Sequence, residues 1–315
     1  MRVLVTGGAG FIGSHLCARL LVRGDEVDCL DNFITGRRQN VRELEQSPAF
    51  QLIEADVSEP FDVQVDAVFH LASPASPPGY LKYPLKTALA NSFGAYHALR
   101  LSEKYQAKFL MASTSEVYGD PLEHPQREEY WGNVNPIGMR ACYDESKRFA
   151  ETLTTIFEKN NGVDARIVRI FNCYGPYSDP DDGRIVPSFV SRALLGEPIT
   201  IYGDGRHTRS LCYVSDLVAG LLKAMFTEGT RGRVYNLGSP DEHTVIEYAQ
   251  IIRQLTRSKS PIVHVDPISE DDPRRRQPDI SRAREELGWQ PVVGLEEGLS
   301  RTIEWFRSEL VDRIA

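Results

Sequence analysis

Tyr143 and Lys147 stand four residues apart in Tyr-Asp-Glu-Ser-Lys. On a helix that spacing turns both side chains to one face. A free phenol has a pKa of about 10 and is a poor base near neutrality. A neighbouring ammonium stabilises the phenolate and lowers that value. Such a tyrosine can take a proton from an alcohol. By itself Tyr-x-x-x-Lys is a common pattern of exposed helix faces, so it gains meaning only from what stands near it. Upstream, Ser113-Thr114-Ser115-Glu116 follows an apolar run expected as a strand over 107–112. Hydroxyls and a carboxylate at a strand's carboxyl end are well placed to handle protons. An isolated segment of this kind reads first as a Ser/Thr turn with Glu116 in solvent.

A cofactor to set beside that tyrosine is suggested by the start of the chain. Thr6-Gly7-Gly8-Ala9-Gly10-Phe11-Ile12-Gly13 follows an expected strand and opens an expected helix. Gly7 permits the tight turn, Gly10 lets backbone approach a pyrophosphate, and Gly13 lets helix and strand pack closely. The helix then offers free N–H groups and a positive dipole end to the phosphates. Asp31 sits directly after the next strand, 18 residues beyond Gly13. A carboxylate there accepts hydrogen bonds from ribose hydroxyls and repels a 2′-phosphate, which favours NAD over NADP. Arg37 and Arg38 follow closely and pull the other way. Asp56, after a third strand, is either an adenine contact or a turn residue and helix N-cap. Phe11, Ile12, Asn32, Val57, Leu71 and Ala72 are read as further walls of the cofactor site. With NAD in place, its positive nicotinamide ring joins Lys147 in stabilising the phenolate, and hydride can leave the carbon whose hydroxyl Tyr143 deprotonates.

These residues need a scaffold. Strands are expected over 2–6, 26–30, 50–54, 67–71, 107–112 and 165–170, with helices over 11–22, 85–105 and 143–159. Strict alternation implies an α/β fold, a Rossmann-type doubly wound parallel sheet with helices on both faces. Ligands of such folds bind at the carboxyl edge. The second half is less regular, with loops at 175–183, 203–208 and 268–278 and helices at 187–195, 214–225 and 245–255. The expected division is a dinucleotide-binding part over 1–173, rejoined by 211–238, and a smaller interleaved sugar-binding lobe over 174–210 and 239–315.

Hydrophobic residues make up 41% and charged residues 25% of the 315 residues, which is ordinary for a globular chain with a real core. A net charge of −8 argues against generic binding to nucleic acid or an acidic membrane surface. An anionic ligand must then meet local arginines and helix N-termini. Cys17, Cys29, Cys142, Cys173 and Cys212 are scattered, with no Cys-x-x-Cys. That argues against a disulfide framework or a zinc site and fits a reducing cytosol. The seven histidines show no ligand spacing, so no metal is expected. No apolar run is long enough to span a bilayer, and none reads as a signal peptide.

Taken together, the glycine turn, the Ser/Thr cluster and the Tyr143/Lys147 pair resemble the extended short-chain dehydrogenase/reductases that act on nucleotide sugars. Within that family the chain closely resembles the UDP-glucuronate decarboxylases, or UDP-xylose synthases. The matching segments are Asp31-Asn32-Phe33, Thr35-Gly36-Arg37, His70–Pro78, Ala112–Pro121, Asn135–Gly138 and Arg140–Lys147. Later matches are Arg169–Asn172, Asp182–Arg184, Tyr202-Gly203, Thr208-Arg209, Tyr213–Leu217, Asp271–Pro273 and Arg276–Ile280. The resemblance implies that Tyr143 deprotonates the 4-hydroxyl of the glucuronosyl ring as hydride passes to NAD. The resulting β-keto acid loses carbon dioxide, and protonation at carbon 5 with return of hydride gives UDP-xylose. NAD is regenerated at each turnover.

It also implies that Thr114 or Ser115 positions the hydroxyl, and that Glu116 acts on the ring during decarboxylation and reprotonation. Arg276 then holds the substrate end, Asn172 and Arg209 meet the diphosphate, and Arg184 and Tyr202 line the sugar pocket, Tyr202 against uracil. By composition alone, Arg274-Arg275-Arg276 reads instead as a solvated loop paired with Asp271 and Asp272. The family more often carries an aromatic after the arginine of Arg209-Ser210-Leu211-Cys212. A dehydratase would need an acid where Ser115 stands, and a 4-epimerase typically has a small hydroxyl residue in place of Glu116. The rivals are a UDP-glucuronate 4-epimerase and a catalytically silent NAD-binding protein. An intact Tyr143, Lys147 and Glu116 speak against the second. A homodimer through helices near 85–105 and 143–159 is a further implication of the resemblance.

Overall fold

The computed structural model describes residues 1–266, Pro273 and 275–311. Asp271, Asp272 and Arg274 lie outside the described residues. The chain runs β1 (Arg2–Thr6), α1 (Phe11–Arg23), β2 (Glu26–Asp31), β3 (Phe50–Glu54), β4 (Ala67–His70), α2 (Pro77–Lys82), α3 (Pro84–Leu89), α4 (Ala95–Tyr105), β5 (Lys108–Thr114), α5 (Ala141–Asn160) and β6 (Ala165–Ile170). It continues β7 (Cys173–Tyr174), α6 (Ile185–Leu195), β8 (Ile199–Tyr202), β9 (Thr208–Ser210), β10 (Cys212–Tyr213), α7 (Val214–Phe226), β11 (Val234–Leu237), β12 (Glu242–Thr244), α8 (Val245–Thr256), β13 (Ile262–Val265), α9 (Ser281–Leu287) and α10 (Leu295–Glu309).

Seven strands make one sheet in the order β11-β6-β5-β4-β1-β2-β3, and every pairing in it is parallel. Successive strand residues point to opposite faces. Val3 and Val5 therefore join one apolar cluster with Leu16 and Leu20 of α1 and Leu217 and Leu221 of α7. Leu4, Val68, Phe109 and Met111 join the other, with Leu99 of α4 and Ala150 and Phe157 of α5. Both faces are covered, as a parallel sheet requires. The strand order reverses between β1 and β4, and the crevice beyond their carboxyl ends is where ligands of such sheets bind.

Two local departures from the sequence reading shape that crevice. The helix expected over 85–105 is two helices, α3 and α4, joined by a π turn at Ala90–Gly94. Gly94 passes so close to Val57 that an added Cβ would lie 2.8 Å from the valine Cγ2, and the extra residue per turn accommodates that approach. Ser76-Pro77-Pro78-Gly79, which the sequence reading assigns to no element, begins α2. The Ser76 hydroxyl accepts the Gly79 N–H at 3.3 Å, and Pro77 occupies the first turn, where a missing N–H costs nothing.

The glycine turn is fixed by contact as well as by dihedral angle. Gly7 has φ +71°, and a Cβ on Gly13 would sit 2.2 Å from the Gly7 carbonyl oxygen and 2.8 Å from the Gly8 Cα. Backbone cannot swing aside as a side chain can. Gly13→Ala should therefore cost about 1–3 kcal/mol of stability by overpacking and weaken dinucleotide retention. Urea unfolding and fluorescence titration with NADH measure the two, and an unchanged midpoint with unchanged affinity would contradict this account of the turn.

Candidate active site

One cleft of about 620 Å³ runs along the carboxyl edge of the sheet. Gly7, Gly10, Phe11, Ile12, Gly13, Asp31, Asn32, Asp56, Val57, Leu71 and Ala72 line one end of the set of residues singled out from the sequence. Thr114, Ser115, Glu116, Tyr143, Lys147, Asn172, Arg184, Tyr202, Arg209 and Arg276 line the rest. The structure brings all of them to this one cleft.

The N-terminus of α1 fits a pyrophosphate. Its N-cap is Gly10, no side chain caps it, and its first turn carries no acidic residue. Asp31 is buried, and its oxygens accept the Ala9 N–H at 3.0 Å and the Phe33 N–H at 2.9 Å. Burial pushes its carboxyl up while those backbone donors pull it down. The carboxylate thus braces the glycine turn as well as facing the cleft. Gly36 leaves it room, since a Cβ there would lie 2.7 Å from an Asp31 oxygen. Arg37 pairs with Glu309 at 2.5 Å, and Arg38 lies 5.6 Å from the Phe33 ring centre. Asp56 behaves as a turn residue, accepting the Ser58 N–H at 2.9 Å, the Ser58 hydroxyl at 2.7 Å and the Asn32 amide at 3.0 Å.

Tyr143 and Lys147 lie on one face of α5, both buried. Lys147 Nζ donates to the Ala112 carbonyl at 2.8 Å, which ties it to the end of β5. Burial lowers the ammonium to about 7, with Glu151 opposing. Burial also pushes the Tyr143 phenol above its ordinary range, while a hydrogen bond with Thr114 pulls it back. Burial therefore opposes the phenolate that the ammonium and the positive nicotinamide ring are expected to stabilise. In a dry site desolvation outweighs one neighbour, so further positive charge must enter the cleft before the phenolate forms. Tyr80 of α2 stacks on Tyr143 with ring centres 5.2 Å apart and planes 12° apart, a partner that nothing in the sequence signals.

Glu116 follows β5 in a short 3₁₀ turn whose first residue is capped by Thr114, the hydroxyl accepting the Glu116 N–H at 3.2 Å. Gly119, at φ +64°, closes that turn against Asn133. Behind it, Ser113 donates to Glu151 at 2.6 Å, and Arg169 grips Glu151 at 2.9 and 2.8 Å and donates to the Tyr118 hydroxyl at 2.9 Å. Arg276 meets Glu116 with both arms of its guanidinium, at 2.6 and 2.8 Å. Arg140 donates to the same carboxylate. Burial pushes Glu116 up, but Arg276, Arg140 and Arg209 outweigh it and hold the carboxyl at about 2.

Arg276 is 4% exposed, so the solvated-loop reading does not hold for it. Its segment is seated on buried Gln126, which exchanges backbone and side-chain hydrogen bonds with Gln277 at 2.9 Å each. Arg275 remains outside, 3.9 Å from Glu242. Arg209 is buried, with its carbonyl held by the Tyr248 hydroxyl at 2.9 Å. Leu211 packs into the core without the aromatic common at that place. Arg184 pairs with Asp182, the Asn172 Oδ1 is buried without a hydrogen bond, and Tyr202 stands half exposed at the rim. Arg140 and Tyr80 are among the cleft residues to which sequence reasoning gave no role. Only the match over Arg140–Lys147 touched Arg140.

Burial, and then the neighbouring Glu116, raise Asp144 from 3.8 to about 7. Between those values the folded protein binds more protons than the unfolded chain, so ionising Asp144 drains stability as pH rises. Asp144→Asn should be more stable than the parent above pH 7 by about 1 kcal/mol or more, with the gain vanishing below pH 3.8. Thermal unfolding across pH measures this, and a pH-independent difference would remove the buried carboxylate as its cause.

A model of the NAD dependent epimerase/dehydratase family matches residues 3–238. UDP-glucuronic acid decarboxylase 1 of Danio rerio is 52% identical over 98% of this chain and 73% of its own length. UDP-glucuronic acid decarboxylase 1 of Arabidopsis thaliana is 50% identical over 99% and 71%. The crystal structure of UDP-glucuronic acid 4-epimerase from Bacillus cereus, in complex with UDP-glucuronic acid and NAD, is 27% identical, with a TM-score of 0.89 over 98% of this chain and 100% of that one. With that identity spread over nearly its whole length, the chain belongs to the NAD dependent epimerase/dehydratase family, and within it to the UDP-glucuronic acid decarboxylases.

Proposed function

We propose that the protein decarboxylates UDP-glucuronate to UDP-xylose through a 4-keto intermediate. The observation that carries this reading is the contrast in likeness. Decarboxylases are about half identical to the chain from end to end, whereas the 4-epimerase shares its fold at 27% identity. NAD is the cofactor, and when bound it accepts hydride from carbon 4 of the ring and later returns it. The glycine turn with Phe11 and Ile12 would hold its pyrophosphate, and Asp31 and Asn32 its ribose. Asp56, Val57, Leu71 and Ala72 would wall the remainder.

Tyr143 acts as the base at the 4-hydroxyl and gives the proton back when the ketone is reduced. Lys147 supplies positive charge behind it, and Thr114 and Ser115 hold the hydroxyl. The 4-ketone accepts the electron pair released as the carboxylate leaves as carbon dioxide. One proton drawn from solvent takes its place at carbon 5. Glu116 faces that carbon as a carboxylate, and Arg276 steadies the leaving group. Asn172 and Arg209 serve the diphosphate, and Arg184 and Tyr202 the sugar and uracil. We assign cofactor binding to 1–173 with 211–238, and sugar binding to 174–210 with 239–315.

Leu85, Phe93 and Tyr96, with Phe149 and Ile156 of α5, are exposed, which supports a homodimer through these helices. Five free thiols, three of them buried, support a cytosolic setting. Light scattering should give twice the chain mass, and Phe149→Glu should shift it toward the monomer. A monomeric parent protein removes this interface.

Proton NMR after incubation with NAD and UDP-glucuronate tests the activity. UDP-xylose is expected, and UDP-galacturonate without carbon dioxide would replace the reading with epimerisation. Tyr143→Phe should bind NAD yet lose turnover by about 100-fold or more. Parental turnover in that variant would take Tyr143 out of the mechanism.

A further inference from the structure

Asp31 and Arg37 make opposite demands on a dinucleotide. A carboxylate beside the adenosine ribose repels a 2′-phosphate, whereas a guanidinium in the same place binds one. The fold makes the two residues neighbours. Asp31 accepts the Ala9 N–H at 3.0 Å, and the Arg37 N–H donates to the Ala9 carbonyl at 3.0 Å. Gly36, between them in sequence, packs directly on the Asp31 carboxylate. Both side chains line the cleft.

We propose that Glu309, the last residue of α10, determines the preference for NAD together with Asp31. It holds the Arg37 guanidinium, so that a 2′-phosphate meets the Asp31 carboxylate without a free cation beside it. The inference rests on the assignment of Asp31 to the ribose given above, and not on the fate of the sugar.

Geometry supports it. One Glu309 oxygen accepts from Arg37 Nη2 at 2.5 Å and from Gln39 Nε2 at 2.6 Å. The first of these contacts joins positions 272 residues apart. Trp305, one turn earlier on α10, packs on the Tyr177 ring with centres 5.6 Å apart. The Tyr177 carbonyl accepts the Asn40 amide at 3.3 Å, and that amide also donates to the Ala9 carbonyl at 3.1 Å. Helix α10 therefore meets the segment Arg37–Asn40 at both ends, which keeps Glu309 opposite Arg37.

Electrostatics supports it too. A carboxylate in the last turn of a helix faces the negative end of the dipole, so the stability of α10 gives no reason for Glu309 to stand there. The Arg37 Nη1 is buried with no hydrogen-bond acceptor among the described residues. That guanidinium thus keeps a donor that Glu309 does not use. Arg38 is engaged elsewhere, 3.9 Å from Glu45 and 5.6 Å from the Phe33 ring centre. Removing the Glu309 charge would leave Arg37 as an unmatched cation beside the ribose that Asp31 serves. The pair is 26% and 24% exposed, so solvent screens it and added salt should shrink its effect.

The test is displacement of bound NADH from the intact chain by NAD and by NADP, followed by NADH fluorescence. Glu309→Gln is expected to strengthen NADP about tenfold relative to NAD, the scale of one charged hydrogen bond. NAD should remain the tighter ligand, because Asp31 is still present. Adding Arg37→Met to that variant should abolish the gain. An unmoved ratio of the two displacement constants in Glu309→Gln overturns the proposal, as does equal weakening of both dinucleotides. A gain that survives Arg37→Met overturns it as well, since the charge of Glu309 would then act without the arginine. If Glu309→Gln does not unfold cooperatively on heating, Glu309→Asp decides. Its shorter side chain withdraws the carboxylate from Arg37 and should give part of the gain, and no gain there overturns the proposal. Failure of the parent protein to bind NADH removes the dinucleotide site and this inference with it, whereas bound NADH with unmoved ratios sinks only this inference.

Discussion

The contact between Glu116 and Arg276 joins positions 160 residues apart, and the rest of the site is arranged around it. Glu116 arrives from the end of β5, Arg276 from the segment seated on Gln126, and Arg140 from the start of α5. A buried ion pair of this kind is weak evidence of stability, because desolvation offsets most of its attraction. Its value lies in specificity of place. It brings a carboxylate of known charge and orientation to the wall that Tyr143 also occupies, and it closes that part of the cleft with a residue from the second half of the chain.

The sheet makes that meeting possible. Its strand order reverses between β1 and β4, which opens the crevice, and its two apolar faces hold α1 and α7 on one side and α4 and α5 on the other. Close approach does the fine positioning. Gly13 lies against Gly7, Gly94 against Val57, and Gly36 against Asp31. A methyl group at any of these points would have to move backbone or a wall of the cleft.

Burial then sets the chemistry. It raises Tyr143 and Asp144 and lowers Lys147, each in the direction that removes charge from a dry site. Glu116 goes the other way, because its arginines overcome the same penalty. The resting cleft therefore holds an ionised Glu116 among guanidiniums and a neutral phenol beside it.

The sequence by itself determined the parts whose meaning is local. Gly7, Gly10 and Gly13 are read within one turn, Asp31 at the end of one strand, and Tyr143 with Lys147 within one helix, so spacing alone carried them. The alternation of strands and helices set the parallel sheet in the same way, because its periodicity lies along the chain. Tertiary structure alone decided what depends on distance between remote segments and on exclusion of water. It turned Arg276 from a loop arginine into a buried partner of Glu116, brought Arg140 and Tyr80 to the site, formed α2 from a proline-rich run, and split the long helix at Gly94 where Val57 presses in. It also set how strongly burial opposes ionisation of Tyr143. Spacing reports which groups are neighbours, whereas a proton's affinity for them depends on how much water the fold has removed.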